Sequence, residues 1–273
     1  PRRHVGVRRL MDLIVVGPGR AGGSIALAAA RVGHHIVGVL SRSGDSRFGP
    51  ALAWGDPLPA ADLLLIAVRD DAIEEVAGRL AAGGEATPVA AHLSGFTPVT
   101  ALHALSAAGA AVGGFHPLQT LPDPERGSAA LAGSFVGIGG DPGARPALGE
   151  LAHSLGMMPF ELSDAARPGY HAGAAAASNF VITALLIAGD LMAAAGIEKS
   201  VTRPLVEAAV ANVYSPGPES PLTGPVARGD ATTVAGQLDA ARMVSDDLAD
   251  QYRLMAEATA IRAGRRGDVA RWS

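Results

Sequence analysis

The stretch Leu13 to Gly23, LIVVGPGRAGG, constrains this chain more than any other. Four apolar residues lead into Gly17, Gly19 and Gly22, the G-x-G-x-x-G spacing at the opening of a helix-like segment. The pattern predicts a strand, a tight turn and a helix. The three glycines serve different ends. Gly17 makes the turn, Gly19 lets a pyrophosphate approach the backbone, and Gly22 lets the helix pack closely on the strand. The free N–H groups at Arg20 and Ala21 and the partial positive charge of the helix start would then face the phosphates. Because the chain holds 35 glycines, the spacing alone is a weak signal. The strand before it and a second strand after the helix strengthen it, against the plainer reading of an ordinary strand-to-helix turn.

Ser24 to Val32 predicts a small-residue helix and His35 to Leu40 the second strand, which completes a βαβ unit. Many NAD-binding units place an acidic residue about twenty residues beyond the glycines, for the ribose hydroxyls. This chain has Ser41, Arg42 and Ser43 there. A carboxylate would repel a 2′-phosphate, whereas a guanidinium with two hydroxyls binds it through charge-assisted hydrogen bonds. The expected cofactor is therefore NADP (NADPH), with NAD second; a surface turn that happens to hold Arg is the bland alternative.

Residues 44–60 are irregular, with a short strand near Ala51 to Trp54. Asp62 to Val68 is a continuous apolar run of the kind expected for a parallel strand buried on both faces. Asp70 or Asp71 reads as the N-cap of the next helix, which runs to about Ala82. Further strands are expected at Pro88 to Leu93, Ala111 to Phe115, Ser134 to Gly139 and Met157 to Leu162, with helices at Pro98 to Ala107 and Ala144 to Leu155. In a doubly wound sheet the strand ends converge on one crevice. Val68, Arg69 and Ser94 would then wall the cofactor, and the run His116, Pro117, Leu118, Gln119, Thr120 would share the crevice. His116 is the acid/base candidate, since histidine titrates nearest neutral pH; a histidine that only hydrogen-bonds its loop is the equal alternative.

Beyond Ala165 the chain reads as helix after helix, the first a single one from Tyr170 to Ala195, apolar almost all round. It is long enough to approach a bilayer span, but His171, Ser178, Asn179 and Asp190 interrupt it, so the centre of a domain or dimer is expected instead. His171 and Asn179 are spaced to border one groove, where the amide would orient a substrate carbonyl or make a helix-to-helix hydrogen bond. Helices are expected at Val201 to Asn212 and Thr232 to Leu248 and on to about Ala263, around a Pro/Gly-rich turn at 215–230. Within it Asp230 is an expected N-cap, and Arg228 either an anion clamp or a surface charge.

The length, 273 residues, suits two modest domains, expected at 11–162 and 163–273. A net charge of -4 argues against nucleic-acid or anionic-membrane partners, and the absence of cysteine removes disulfides, thiol nucleophiles and thiolate metal sites. No metal site is expected from the histidine spacing. The basic opening Pro1 to Leu10 is read as an extension ahead of a start at Met11, and cytoplasm as the compartment.

GPGRAGGSIA from Gly17, IAVRDDAI from Ile66, HLSG from His92, FHPLQTLPD from Phe115, YHAGAAAASN from Tyr170 and LTGPVARGD from Leu222 together resemble one family. It joins a Rossmann-like N-terminal domain to an all-helical C-terminal domain of unknown function, and is similar in build to pyrroline carboxylate reductase, ketopantoate reductase and the hydroxyacid dehydrogenases. The resemblance implies an α/β, doubly wound, mainly parallel sheet followed by an all-helical domain that forms a homodimer, with the site in a cleft between them. Hydroxyacid dehydrogenases and ketopantoate reductases place an acid/base lysine on an interdomain helix; here Ala175 stands at the corresponding place, and Lys199 lies elsewhere. Proton transfer would fall to His116, His171 or water, with Asn179 keeping the amide role. The expected function is transfer of hydride from NADPH to a small carbonyl or imine, with Gln119 and Arg228 toward the substrate. A ketopantoate-reductase-like enzyme and a non-catalytic NADP-binding regulatory module are the alternatives.

Overall fold

A computed structural model describes residues 9–44, 47–84, 87–215 and 222–272. The opening stretch through Arg8 and part of the turn at 215–230 lie outside the described residues. The chain forms two compact units, one through Ala175 and one from Ala176 on.

In the first unit the elements follow as β1 (Asp12–Val16), α1 (Arg20–Arg31), β2 (His35–Leu40), β3 (Ala51–Leu52), β4 (Leu63–Ile66), α2 (Ile73–Ala81), β5 (Val89–His92), α3 (His103–Ala107), β6 (Ala111–Leu118), α4 (Pro124–Ala130), β7 (Phe135–Gly140), α5 (Arg145–Ser154), β8 (Met158–Glu161) and α6 (Arg167–Ala175). The strands make one eight-stranded sheet in the order β3-β2-β1-β4-β5-β6-β7-β8. Only β6 and β7 run antiparallel. Its first six strands follow the dinucleotide-binding order, which reverses direction of growth between β1 and β4.

The central strands β1, β4 and β5 are buried on both faces, and the period of two along each strand assigns the sides. Leu13, Leu63 and Leu65 join α1 and α5 in one core, through Ile25, Ala29, Leu148 and Leu151. Ile14, Val16, Leu64 and Ile66 join α2 and the segment before α3 in the other, through Ile73, Ala77, Leu80 and Leu102. That two-sided burial is why the run at β4 has no polar alternation.

Four sequence expectations are corrected. Neither Asp70 nor Asp71 caps a helix: both sit in a short 3-10 turn at Asp70–Ala72, and Asp71 instead takes the Arg69 guanidinium at 2.7 Å. β6 continues past Phe115 through His116 and Pro117 to Leu118. Proline is tolerated there because β5 pairs only as far as Gly114, so beyond it β6 has a ladder partner on one side only. The expected single helix from Tyr170 is broken into α6, a π-helical turn at Ala176–Phe180 and a following helix. The expected helix from Thr232 to Leu248 ends at Val244, where Ser245 turns extended and its Oγ accepts the Leu248 N–H to start a new one.

A buried ion pair ties α6 to the sheet. Arg167 is wholly buried, and its Nε donates to Asp164 Oδ1 at 2.8 Å while Nη1 donates to the Ser94 carbonyl at 2.9 Å. Asp164 also accepts the Val99 N–H, 3.0 Å from each oxygen. One carboxylate thus holds the loop after β5, the start of the next turn and α6 together.

The second unit holds α7 (Val181–Ala194), α8 (Arg203–Tyr214), α9 (Pro225–Arg228), α10 (Ala231–Val244) and α11 (Asp246–Arg262). Asp230 caps α10 as expected, accepting the Thr233 N–H at 3.1 Å. Its core is small: Val234 and Leu238 of α10, Ala256 and Ala260 of α11, and Trp272. The helical run Asp164–Ala194 is long and apolar enough to cross a membrane, and only 6% of its most apolar window is buried within the chain.

Asp164→Ala would leave the Arg167 cation buried without its carboxylate and the Val99 N–H without its acceptor. Removing one partner of such a pair costs about 3 kcal/mol or more, so the urea midpoint is expected to fall accordingly; an unchanged midpoint would contradict the tie.

Candidate functional site

The glycine turn sits where the sheet order reverses. Gly17 has φ +87°, a conformation L side chains rarely adopt, and its N–H donates to the Leu40 carbonyl at the end of β2 at 2.8 Å. A Cβ at Gly17 would come 2.7 Å from the Ala67 carbonyl oxygen and 3.1 Å from Val68 Cγ1. A Cβ at Gly22 would collide with the Gly17 carbonyl and come 2.8 Å from Ala67 Cβ. These two glycines therefore let the turn, α1 and the end of β4 close on one another. Gly19 differs, since a Cβ there would meet nothing within 4 Å. It is the N-cap residue of α1, no side chain caps the helix, and no acidic residue stands in the first turn. The backbone N–H groups of Arg20 and Ala21 thus begin a helix whose positive end no side chain neutralises.

Beyond β2, Ser41 is half-buried while Arg42 and Ser43 are exposed, and the two hydroxyls lie 3.4 Å apart. Val68 borders Gly17, and exposed Arg69 is held in a two-pronged pair with Asp71.

The second half of the site lies at the ends of β5 and β6. Ser94 Oγ accepts the N–H groups of Phe96 and Thr97, at 3.1 and 2.8 Å, which turns the chain sharply after β5. That leaves the hydroxyl its proton to donate. Gly95, next in the turn, is covered by the His116 imidazole: a Cβ there would lie 2.8 Å from both Cε1 and Nε2. On the other side of the ring, His116 Nδ1 and Tyr170 Oη are 2.6 Å apart. The His171 ring stands 6.3 Å from that of His116, and Phe96 5.9 Å from His171. Tyr170 in turn packs on Phe160 of β8, ring centres 5.7 Å apart. The structure thus brings His116 and His171 together with Ser94, and adds Tyr170, Arg167 and Phe96, for which the sequence pattern predicts no role.

Burial sets the protonation here. It lowers His116 from 6.5 to about 4, helped by His171 and Arg167 and opposed by Asp70. His92, whose Nδ1 accepts the Ser94 N–H, is likewise lowered to about 4 by burial and then by Arg167, against Asp164. Tyr170 is raised from 10.0 to about 12 by burial, with Arg167 pulling the other way. At neutral pH the imidazole and the phenol are both uncharged.

Gln119 holds its own loop: Oε1 accepts the Thr120 N–H at 2.8 Å and Nε2 donates to the Ala130 carbonyl at 3.3 Å. Asn179 and Arg228 belong to the second unit, both exposed, the first in the π-helical turn and the second ending α9. The π-helical turn widens the helical repeat between His171 and Asn179, so their angular spacing differs from that of an uninterrupted α-helix. No group of histidine, aspartate or glutamate side chains able to hold a metal ion occurs among the described residues.

Residues 134–259 match the model of a family described as a domain of unknown function (DUF2520). No curated protein matches the sequence. Among solved structures, the chain is similar to BF3122 of Bacteroides fragilis, whose name gives it as a candidate NADP oxidoreductase: 22% identity, TM-score 0.78, covering 93% of this chain and 99% of that one. It is similar to the reductive aminase of Aspergillus terreus in complex with NADPH and ethyl 5-oxohexanoate, at 19% identity and TM-score 0.65, over 96% and 98% of the two chains. It is also similar to an imine reductase from Pseudomonas sp., at 17% identity and TM-score 0.67, over 97% and 98%. At these identities the likeness is one of fold, and the fold is the expected one: a Rossmann-like sheet followed by helices, with a domain of unknown function in the C-terminal part.

The low histidine pKa values carry a stability consequence. Unfolded, His92 and His116 take up protons below about 6.5; folded, only below about 4. Between those values the unfolded chain binds more protons, so stability is full above pH 6.5 and falls as the pH drops toward 4, by up to roughly 3 kcal/mol per histidine. Urea midpoints at pH 7 and 4.5 are expected to differ less in His92→Asn than in the unaltered protein; equal pH dependence in the two would contradict the assignment.

Proposed function

We propose that this protein is an NADP(H)-dependent oxidoreductase acting on a small carbonyl or imine. The observation that carries the reading is the turn at Gly17, Gly19 and Gly22, where side chains are excluded on the packed side while Gly19 and an uncapped helix start are left open. That shape and polarity fit a pyrophosphate. The N–H groups of Arg20 and Ala21 would hold it, and Ser41, Arg42 and Ser43 the 2′-phosphate. Val68, Arg69 and Ser94 would line the path to the nicotinamide. The bound cofactor would supply a hydride, while the protein orients the substrate and supplies or withholds protons. His116 is proposed to serve the proton chemistry and His171 and Asn179 to position the substrate, with Gln119 and Arg228 toward its polar end. The NADPH in the Aspergillus complex supports the cofactor, and that enzyme's and the imine reductase's names support the substrate class.

A second reading, an NADP-binding regulatory module without catalysis, is favoured by one observation: α6, the π-helical turn and α7 contain no lysine, and Lys199, the chain's lone lysine, follows them.

We also infer a homodimer in the cytoplasm. α7 and α8 and the residue before α7 expose Phe180, Leu186, Leu205 and Val213 by 60% or more, an apolar surface of the kind that marks an interface. A second copy of the chain is the proposed cover.

Calorimetric titration is expected to show NADPH binding more tightly than NADH. Arg42→Ala should weaken NADPH by about ten- to a hundredfold, the worth of a charge-assisted contact, and leave NADH unchanged. Absence of binding by either nucleotide would overturn the reading. Light scattering at micromolar concentration should give twice the mass of the chain, and a monomer would contradict the dimer.

A further inference from the structure

Tyr170 sets its hydroxyl against His116, and nothing in the glycine turn accounts for the pair. Its Oη lies 2.6 Å from His116 Nδ1, while the far edge of the same imidazole rests on Gly95. The ring is thus fixed on both sides, between a backbone that has no Cβ and a phenol. Phe160 backs the Tyr170 ring, and Arg167, three residues earlier, anchors the start of α6.

We propose that Tyr170 is the proton donor to the oxygen of a carbonyl substrate, and that His116 positions it by donating its Nδ1–H to Oη. This deepens the reductase reading and rests on it. With Nδ1 as the donor, the phenol keeps its own O–H for the substrate. As the carbonyl carbon gains a hydride from the reduced nicotinamide, the C=O π pair moves to oxygen, which takes the Oη proton. The alcohol departs, and the phenolate, still held by Nδ1–H, regains a proton from water.

The charges around the pair select the substrate class. The groups that act on it are Asp70 beyond β4, His92 of β5, and Arg167 and His171 of α6. Burial of the ring and the nearby guanidinium keep the His116 imidazole neutral at neutral pH, so His116 does not protonate an imine nitrogen. A phenol is a weaker acid than an iminium ion and a stronger one than an alcohol. It therefore yields its proton to a forming alkoxide and not to a neutral imine. The dyad fits reduction of an uncharged carbonyl compound.

Two measurements test this. Imidazole 15N spectra of the protein without nucleotide, at pH 7, are expected to show His116 protonated at Nδ1, with a signal that shifts in Tyr170→Phe; a proton on Nε2 means that the phenol spends its proton on the ring, and overturns the proposal. NADPH consumption is then followed with cyclohexanone and with N-methyl-1-pyrrolinium, a permanent cation that needs no proton. Tyr170→Phe should lose about a hundredfold or more on the ketone, the usual worth of general acid catalysis, and change little on the pyrrolinium. Equal losses on both would reduce Tyr170 to a packing role. An unaltered protein that binds NADPH by calorimetry yet reduces only the pyrrolinium, or neither compound, also overturns the carbonyl assignment. Failure to bind NADPH instead overturns the reductase reading, and the 15N spectra still decide whether Tyr170 and His116 are paired as stated.

Discussion

Close approach of three pieces of backbone, at the end of β1, the start of α1 and the end of β4, is the constraint on which the molecule depends. It is possible only because Gly17 and Gly22 carry no side chain to stand against Ala67. The same closeness ties β2 in, through the hydrogen bond from Gly17 to Leu40, and so sets where Ser41 to Ser43 emerge. Gly19 plays no part in that packing. It stands at the head of a helix with no capping side chain, and the free N–H groups and positive end of α1 remain for a ligand of opposite charge. Packing thus falls to Gly17 and Gly22, and the binding proposed above to Gly19, a few residues apart.

The second half of the site has a different foundation, a buried cation. Arg167 fills the space over Gly114, where a Cβ would collide with its guanidinium, and joins Asp164 to the Ser94 carbonyl. Burying a charge in this way is costly unless it is paired and hydrogen-bonded. Here the arrangement fixes the turn after β5 against α6, and with it Gly95, His116 and Tyr170. It also raises the cost of a second positive charge nearby, which helps to keep both His92 and His116 neutral.

Most of the sheet is legible in the sequence because its physics is local. Apolar runs such as Leu63 to Ile66 and small-residue helices such as α1 announce themselves by period and composition, and the glycine turn points to a doubly wound sheet. What is not legible depends on distant partners. Nothing in the stretch RPGYH marks Arg167 for burial, and only the strand ends brought over it show that it is buried. Tyr170 marks the beginning of a helix and gives no sign of His116, 54 residues earlier. α4 goes unpredicted although Asp123 followed by Pro124 is a cap and first-turn signal. The two aspartates after β4 suggest a cap, but Asp71 is drawn to its neighbour Arg69 instead. The π-helical turn at Ala176–Phe180 leaves no mark in the apolar pattern, because small residues tolerate either helical repeat.

The proposed function makes one requirement of the two halves: a nucleotide held at the glycine turn would have to present its reactive end to the turn after β5. A crystal structure of the protein with NADPH tests this most directly. The pyrophosphate is predicted on the N–H groups of Arg20 and Ala21 and the nicotinamide beside Ser94 and Gly95, within reach of a substrate on Tyr170. A nucleotide bound elsewhere, or one whose nicotinamide points away from β5 and β6, would contradict it.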